Sequence, residues 1–234
     1  MKRIAINGFG RIGRSFFRQN FGSPDFDIAA VNDLTDTRTL AYLLKYDSVY
    51  GRYGKSVSSA NGKIVVDGKD VVVLAEKDPA KLPWKDLGID IVVESSGAFE
   101  SYEKASVHIK VGAKRVVITA PAKDEDSAEN KTVLMGVNDD DLKTCLITSN
   151  GSCTTNSASP IMQVLNEKLG IKKAFLNTVH GYTATQSLTD SPAKGEDYRR
   201  GRAAAINIVP STTGAAMAVG RAVHELLGKF DGVA

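Results

Sequence analysis

Three glycines near the start of the chain constrain its fold more than any other feature. Gly8, Gly10 and Gly13 form the pattern G-x-G-x-x-G, directly after the strand-like run RIAIN and at the start of the helix-like run RIGRSFFRQN. In this setting the first glycine allows a tight turn, the second lets the backbone approach a diphosphate, and the third permits close packing of helix and strand. The pattern therefore predicts a Rossmann-type dinucleotide site, and a purely structural glycine turn is the alternative.

An acidic residue stands where such a site needs one. Asp33 follows the apolar run DIAAVN and lies 20 residues after Gly13. A carboxylate at this position hydrogen-bonds the hydroxyls of the adenosine ribose and repels a 2′-phosphate. We therefore expect NAD, and not NADP, as the cofactor.

The first part of the chain alternates strand-like and helix-like runs. The strand-like runs cover residues 3–7, 27–32, 89–97, 114–119, 132–138 and 145–150, and the clearest helix-like runs between them are TRTLAYLLKY and SYEKASVHIKVG. Such alternation predicts parallel strands with crossover helices. The runs GKIVVDG and KDVVVLAE, with a turn at Asn61-Gly62, predict an antiparallel excursion.

A change of composition marks a second domain. From Ala174 to about Arg202 the chain is polar and rich in Gly, Ser and Thr. We expect an α/β protein with an NAD-binding domain at 1–151, built on a Rossmann-type doubly wound parallel sheet, and an incomplete α+β catalytic domain at 152–234. The second part promises one clear helix, about one long strand and a long loop, which is a thin core for an independent unit.

Small polar residues follow two later strands of the predicted sheet. Ser96 and Gly97 end the run IDIVVESSG, and Thr119 ends KRVVIT. Ligands of open α/β sheets bind beyond the carboxyl ends of the strands. These residues are candidate cofactor contacts, with ordinary turn residues as the alternative.

Composition and charge exclude several classes of function. A net charge of +3 is too small to indicate nucleic-acid binding. The two cysteines, Cys145 and Cys153, indicate neither a disulfide framework nor a zinc site, and they fit a reducing compartment. The first residues do not resemble a signal peptide, and no apolar run is long enough to span a membrane. We expect a cytoplasmic protein without a metal, membrane or nucleic-acid partner.

Cys153 stands at a predicted helix start. It follows the strand-like run CLITSN and precedes apolar residues at helical spacing, namely Ile161, Val164, Leu165 and Leu169. Unpaired N–H groups and the helix dipole favour a thiolate there, and the same N–H groups can hold an oxyanion. Cys145, inside the apolar run, is interpreted as a packing residue.

A catalytic thiolate needs a base, and the chain has three histidines. His108 lies in the surface-helix pattern YEKASVHIK and His224 in the run RAVHELL, and both are interpreted as structural or solvated. His180 ends the run AFLNTVH and is followed by Gly-Tyr-Thr, where a side chain can face a cleft. The sequence therefore favours His180 as the base of Cys153.

Two further segments have the chemistry of a phosphate site. The run DYRRGR, at 197–202, supplies guanidinium groups, and PSTTGAA supplies hydroxyls and a glycine just before a helix. A phosphate on the substrate would suit both segments. The alternative is a solvated loop with a basic edge.

Several of these motifs together resemble one family. INGFGRIGR, VNDLTD, LLKYDS, SCTTN, TVHGYTATQ and STTGAA closely resemble the phosphorylating glyceraldehyde-3-phosphate dehydrogenases, in order along the chain. The resemblance implies NAD-dependent oxidation of glyceraldehyde 3-phosphate with inorganic phosphate to 1,3-bisphosphoglycerate. It also implies a homotetramer acting in glycolysis, with a cysteine thiohemiacetal and thioester as intermediates.

The resemblance assigns roles to individual residues. Cys153 resembles the nucleophile, and His180 its base. The cofactor contacts would be Gly8, Phe9, Gly10, Arg11, Ile12, Gly13, Asp33, Lys77 and Thr119, together with the candidates Ser96 and Gly97. The substrate and phosphate contacts would be Ser152, Thr154, Thr183, Arg200, Thr213 and Gly214. Arg199 and Arg202 compete with Arg200 for its role.

Departures from the family pattern leave two other readings open. Lys77 and Ser157 stand where the family usually has an arginine and a second cysteine. The family also continues beyond the segment DGVA, so we expect weak turnover from a chain that stops there. The alternatives are a truncated, catalytically impaired NAD-binding module and a related phosphosugar aldehyde dehydrogenase acting on erythrose 4-phosphate.

Overall fold

A nine-stranded sheet organises the first part of the chain. The computed structural model describes residues 1–193 and 196–234, which group into two units. The first unit comprises residues 1–133 and 139–151, and the second comprises residues 134–138 and 152–234. The chain is an α/β protein, and each unit is described by itself below.

The first unit contains eleven strands and three α-helices among its described residues. The strands are β1 (Lys2–Asn7), β2 (Phe26–Asn32), β3 (Tyr46–Asp47), β4 (Gly51–Arg52), β5 (Val57–Ala60), β6 (Lys63–Val66), β7 (Lys69–Leu74), β8 (Ile91–Glu94), β9 (Arg115–Ile118), β10 (Asn130–Thr132) and β11 (Ile147–Ser149). The helices are α1 (Arg11–Asn20), α2 (Thr37–Lys45) and α3 (Tyr102–Lys110).

The strand order defines a doubly wound sheet. It runs β10-β11-β9-β8-β1-β2-β7-β6-β5, with parallel pairing from β10 to β7 and antiparallel pairing of β7, β6 and β5. The chain proceeds from β1 to one side through β2 and then returns to β8 on the other side. The crevice beyond the carboxyl ends of β1 and β8 is therefore the switch point where such sheets bind ligands.

Apolar strands build a core on both faces of this sheet. One cluster of buried residues includes Ile6, Phe17 and Leu40, and a second includes Val92, Trp84 and Ile118. Strands covered on both faces are apolar throughout, which is why the runs of β1, β2 and β8 lack polar alternation. The sequence predicted these strands, and their parallel arrangement is confirmed.

The antiparallel excursion is also confirmed. Asn61 and Gly62, with φ of 51° and 72°, join β5 to β6, and Asp67 and Gly68, with φ of 48° and 79°, join β6 to β7. Two successive residues with positive φ are typical of the type I′ hairpin turn.

One strand prediction was wrong. The run 132–138 was expected to be extended, but β10 ends at Thr132. The N–H of Leu134 donates to the side chain of Asn138, and Gly136 has a φ of 75°, so residues 134–138 form a turn.

The second unit has two α-helices and two short strands among its described residues. They are α4 (Cys153–Leu169), β12 (Ala174–Asn177), α5 (Ala215–Ala222) and β13 (Phe230–Val233). Its buried core consists of Met162, Val219, Val223 and Leu226. This small core agrees with the thin packing expected from the sequence.

The strands of this unit differ from the prediction. The run AFLNTVH is a strand only to Asn177, so His180 lies three residues beyond its end. Gly228, at a φ of 71°, turns the chain into β13, which pairs with β12 in parallel. Among the described residues, no helix combines the length and the apolarity needed to cross a membrane.

Candidate active site

The glycine loop joins β1 to α1 with almost no space around two of its glycines. A Cβ atom on Gly8, whose φ is +91°, would lie 2.4 Å from Cα of Ser96. A Cβ on Gly13 would lie 2.2 Å from the carbonyl oxygen of Gly8. Both contacts are with backbone atoms, so only glycine fits without displacement of the chain.

Gly10 differs, because it faces open space. No heavy atom lies within 4 Å of a Cβ built there, and Gly10 caps α1 without a side-chain hydrogen bond. The first turn of α1 also contains no acidic residue. An unobstructed helix start with free N–H groups suits a diphosphate, so the residues present fit the cofactor predicted from the sequence.

Asp33 is held against this loop. Its Oδ2 accepts a hydrogen bond of 2.7 Å from the N–H of Phe9, and its Oδ1 accepts one of 2.9 Å from the N–H of Thr35. The ring of Phe9 is buried and packs edge-on against Phe17. Any contact from Phe9 to the cofactor therefore comes from its backbone.

The other predicted cofactor residues lie in the first turn of α1 and in loops that follow β7, β8 and β9. The side chain of Ile12 is 54% exposed, Lys77 is exposed, and Arg11 forms an ion pair of 2.6 Å with Asp47. Ser96 and Gly97 follow β8, and the hydroxyl of Thr119 donates to the carbonyl of Glu94 over 3.1 Å. These side chains gather at the carboxyl edge of the sheet, and their contacts with NAD stay predictions.

In the second unit, Cys153 is the first residue of α4, a helix of 17 residues. Ser152 caps the helix: its hydroxyl accepts from the N–H of Thr155, and the hydroxyl of Thr155 accepts from the N–H of Ser152. This reciprocal capping box holds the first turn in place. Cys153 is exposed at that turn, where the helix dipole favours an anion.

The thiol of Cys153 contacts His180. Its Sγ lies 3.1 Å from Nε2 of His180, and Nδ1 of His180 lies 2.6 Å from the carbonyl oxygen of Gly181. Because a carbonyl can only accept, Nδ1 bears a proton, which leaves Nε2 to receive the proton of the thiol. The geometry is that of a nucleophile beside its base.

This contact changes both acidities. The hydrogen bond with His180 lowers the pKa of the Cys153 thiol, as do the charge of His180 and the hydrogen bonds of Thr154, while partial burial opposes them. The hydrogen bond with Cys153 raises the pKa of His180, and the carbonyl of Gly181 adds to that. Both shifts act in the direction of a thiolate paired with an imidazolium.

A cleft of about 520 Å³ opens beside this pair. Its walls come from α4, β12, the segment that follows β12 and the start of β13, and they are mainly apolar apart from the thiol, the imidazole and the polar residues Thr154, Ser157, Asn177 and Thr178. They include Ile161, Met162, Leu176 and Phe230. A reacting carbonyl could reach Cys153 from this side.

Arg200 stands apart from its two neighbouring arginines. Its Nη1 donates to the hydroxyl of Thr185 over 2.9 Å, and its Nη2 donates to the hydroxyl of Ser211 over 2.5 Å. The guanidinium of Arg199 forms its ion pair with Asp197, and that of Arg202 with Asp190. Arg200 also lies near Asp197, with its Nε 3.6 Å from Oδ2 of that residue, but among the three candidates it is the one whose guanidinium donates to two neutral hydroxyls.

Two predicted phosphate contacts belong to one hydrogen-bonded chain. The hydroxyls of Thr183 and Thr185 are 2.9 Å apart, so Thr183 is linked through Thr185 to Arg200. The hydroxyl of Thr213 accepts from the N–H of Ala215, and Gly214 is the cap of α5. Ser152 and Thr154 belong to the start of α4. The roles of these residues stay predictions.

Thr185 and Ser211 are site residues that the sequence reasoning did not identify. Each lies two residues from a predicted contact, in TATQ and PSTTG, and both were hidden among other hydroxyls. His108 also requires a correction: it does not lie on a surface helix but is fully buried, between Trp84 and Glu94.

Two family models match the chain. One describes the NAD-binding domain of glyceraldehyde 3-phosphate dehydrogenase and matches residues 2–102, and the other describes its C-terminal domain and matches residues 152–234. A doubly wound sheet with an open glycine loop, followed by a domain with a thiol beside an imidazole, defines the class of NAD-dependent oxidoreductases.

Curated relatives narrow the class to one family. The chain is 55% identical to glyceraldehyde-3-phosphate dehydrogenase of Thermotoga maritima over 94% of its own length and 65% of the relative's. It is 51% identical to that of Geobacillus stearothermophilus over 99% of its length and 68% of the relative's. The chain therefore belongs to the glyceraldehyde-3-phosphate dehydrogenase family and spans about two thirds of the length of the relatives it matches.

Proposed function

We propose that this chain oxidises glyceraldehyde 3-phosphate with NAD and inorganic phosphate, as a step of glycolysis, and releases 1,3-bisphosphoglycerate and NADH. The contact of 3.1 Å between Cys153 and His180 at the start of α4 is the observation that supports this function most strongly. The names of the relatives supply the substrate.

The first step is addition of Cys153 to the aldehyde. The thiolate forms a C–S bond with the carbonyl carbon, and the carbonyl oxygen takes the electron pair of the broken π bond. N–H groups at the start of α4 stabilise that oxygen, because they lack partners within the helix. The imidazolium of His180 passes the proton that it took from the thiol to this oxygen, which gives a thiohemiacetal on Cys153 and leaves Nε2 free to act as a base.

The second step removes two electrons from the same carbon. NAD, when bound, accepts the hydride. His180 takes the hydroxyl proton through Nε2, so the carbonyl re-forms as a thioester. The hydrogen bond from Nδ1 to the carbonyl of Gly181 keeps Nε2 directed at the reacting group.

The third step transfers the acyl group to phosphate. A phosphate oxygen attacks the thioester carbon, the C–S bond breaks, and Cys153 leaves as a thiolate stabilised by its lowered pKa. We propose Ser152, Thr154, Thr183, Arg200, Thr213 and Gly214 as the contacts of the attacking phosphate and of the substrate phosphate. Arg200 supplies the positive charge.

Assembly and location belong to the same proposal. We expect a homotetramer, because the family resemblance implies one, and a cytoplasmic location, because a catalytic thiolate needs a reducing compartment. Sedimentation of the purified chain tests the first expectation, and fractionation of the source cells tests the second.

Stopped-flow measurement of NADH formation tests the activity. With glyceraldehyde 3-phosphate and NAD but no phosphate, we expect a burst of about one NADH per chain, since the thioester accumulates. Added phosphate should convert the burst into continuous turnover. The variant Cys153→Ser should bind NAD without a burst. Absence of a burst in the unmodified chain, or equal turnover with erythrose 4-phosphate, would overturn the proposal.

A further inference from the structure

The last residues of three neighbouring strands form one polar row beneath the dinucleotide site. Asn32 ends β2, Asn7 ends β1 and Glu94 ends β8, and the strand register pairs Asn7 with both of the others. All three are buried, with exposed fractions of 6%, 3% and 3%. Buried polar groups at a sheet edge require partners, so their hydrogen bonds define what the row does.

Glu94 is the acceptor at one end of this row. Its Oε1 accepts from the N–H of Ser96 over 2.9 Å and from the hydroxyl of Ser96 over 2.5 Å. Its Oε2 accepts from Nδ2 of Asn7 over 2.5 Å and contacts Nε2 of His108 at 2.9 Å. A carboxylate has about four lone-pair sites, and here all four have partners.

The tautomer of His108 follows from Trp84. The indole N–H of Trp84 lies 3.0 Å from Nδ1 of His108, and an indole can only donate, so Nδ1 is the acceptor. The proton of the neutral imidazole is then on Nε2, directed at Glu94. Four donors therefore meet the carboxyl of Glu94, and only the ionised form can accept from all of them.

The charge of Glu94 fixes the direction of every bond in the row. Because Nδ2 of Asn7 must donate to Glu94, Oδ1 of Asn7 accepts, and it does so from Nδ2 of Asn32 over 2.7 Å. Oδ1 of Asn32 accepts in turn from the N–H of Glu76 over 2.9 Å. The row thus starts at Ser96, in the loop after β8, and ends at Glu76, next to Lys77.

We propose that Glu94 is the positioning residue of the dinucleotide site. Its buried charge aligns a hydrogen-bonded row that holds the loop of Ser96 and Gly97 against the glycine loop and the loop of Glu76 and Lys77 beyond β7. The two loops border the cofactor edge of the sheet on opposite sides of Asp33, so one carboxylate sets their spacing. This inference rests on NAD binding at that edge.

The variant Glu94→Gln tests the role of the charge without a change of shape. In one orientation the NH₂ group of the amide faces the two donors of Ser96, and in the other it faces the donors of Asn7 and His108. In either orientation one side of the row loses its hydrogen bonds, and the loop attached there is no longer held. We expect the NAD dissociation constant to rise at least about tenfold, because several hydrogen bonds to a charged acceptor are lost. Isothermal titration calorimetry measures this constant, and thermal unfolding measures the fold.

Asp90→Asn is the matched control. Asp90 precedes β8 at the opposite end of the strand and accepts hydrogen bonds from the N–H of Arg3 and from Lys114. The same acid-to-amide change there loosens β8 away from the cofactor edge. We expect NAD affinity within about twofold of the unmodified chain, since the row is untouched. Equal losses in both variants would reduce Glu94 to a structural residue.

A double variant separates positioning from general damage. In Asn7→Asp with Glu94→Gln, the new amide donates to the new carboxylate, and that carboxylate still accepts from Asn32, so that only the Nε2–H of His108 is left facing a donor. Donors and acceptors match again along the row from Ser96 to Glu76, so the double variant should bind NAD more tightly than either single variant. Effects that merely add would overturn the proposal, because damage to a structural site accumulates.

Two further results keep the test decisive. If Glu94→Gln does not fold, nitrogen NMR of the unmodified chain should still show His108 protonated on Nε2 and unprotonated on Nδ1. The opposite tautomer would overturn the direction of the row. If the unmodified chain fails to bind NAD, the cofactor site itself is refuted. If it binds NAD and Glu94→Gln binds equally well, only the role of Glu94 is refuted.

Discussion

The thiol of Cys153 meets the imidazole of His180 across 27 residues of sequence, with Sγ 3.1 Å from Nε2. Neither group is placed by a rigid core alone. Cys153 depends on the capping box of α4, and His180, three residues beyond the end of β12, depends on its hydrogen bond to the carbonyl of Gly181. Each support can be removed separately.

The reactivity of Cys153 should persist to lower pH than that of an unperturbed cysteine. Its pKa is lowered by His180, so the thiolate is lost only as the pH falls through that lowered pKa. His180→Asn removes the main cause of the lowered pKa of Cys153. For a thiol that is mostly protonated, each unit by which this pKa rises reduces the thiolate fraction about tenfold. Alkylation by iodoacetamide, followed by mass spectrometry across pH, measures the shift.

Cys145 provides the internal control for this experiment. Burial raises the pKa of its thiol, and its side chain is only 1% exposed. The variant Cys153→Ser should therefore not react with iodoacetamide at any pH at which the chain stays folded. Identical pH profiles for the unmodified chain and His180→Asn would show that the contact does not activate the thiol.

Removal of the helix cap should loosen the first turn of α4. Ser152→Ala deletes the hydroxyl that accepts from Thr155, at a cost of about 1 kcal/mol. Ser157→Ala, an exposed position inside the same helix, should cost nothing because alanine favours helices. Hydrogen exchange of the amides of α4 compares the two variants.

Ser152→Asp separates the cap from the chemistry. Aspartate is a good cap, so hydrogen exchange should return to that of the unmodified chain. Its negative charge lies next to Cys153 and disfavours a second anion, so alkylation at neutral pH should become slower. Equal protection in the alanine variants of Ser152 and Ser157 would contradict the role of the capping box.

The sequence was sufficient for the local parts of this fold. The glycine spacing and apolar runs predicted β1, α1, β2 and α2, because turn geometry and periodicity are properties of neighbouring residues. The pairing of β12 with β13 was missed, since it joins segments 56 residues apart in register and each strand has only four residues. Short runs of that kind have no period that separates them from loops.

The candidate site shows the same division. The sequence identified Cys153 and His180 from their places at element ends, and their contact needed the structure. The sequence did not predict that Asn32, Asn7 and Glu94 form a hydrogen-bonded row, although each of them ends an apolar run. The row forms because the register of three strands places these residues side by side, and register is set by packing across the sheet. His108 was misplaced because its partners, Trp84 and Glu94, are distant in sequence.

Arg200 should matter more for phosphate than its neighbours do. Its guanidinium is bound by the hydroxyls of Thr185 and Ser211 and its ion pair with Asp197 is long, at 3.6 Å, whereas the ion pair of Arg202 with Asp190 measures 2.9 Å. Arg200 therefore keeps more of its charge for an anion. Arg200→Lys loses the planar fork, and we expect KM for phosphate or for glyceraldehyde 3-phosphate to rise about tenfold with a smaller change in kcat. Arg202→Lys, the matched control, should change KM less than twofold. The reverse order would assign the phosphate to Arg202.

Alanine at the second and third glycines of the loop should separate cofactor binding from folding. At Gly13 a Cβ would lie 2.2 Å from the backbone oxygen of Gly8, so Gly13→Ala should cost about 1–3 kcal/mol of stability. At Gly10 a Cβ meets nothing within 4 Å and φ is −72°, an ordinary value. Gly10→Ala should therefore fold with a loss of less than about 1 kcal/mol, the cost of a poorer cap.

The same Cβ at Gly10 projects into the space that the diphosphate of NAD needs. We expect Gly10→Ala to weaken NAD binding at least about tenfold in calorimetry, while its melting temperature stays close to that of the unmodified chain. For Gly13→Ala we expect the larger change in the melting temperature, which should be lowered, and the smaller change in NAD affinity. If Gly10→Ala bound NAD normally, the open face of the loop would not be the diphosphate site, because no other atom of the loop would have changed.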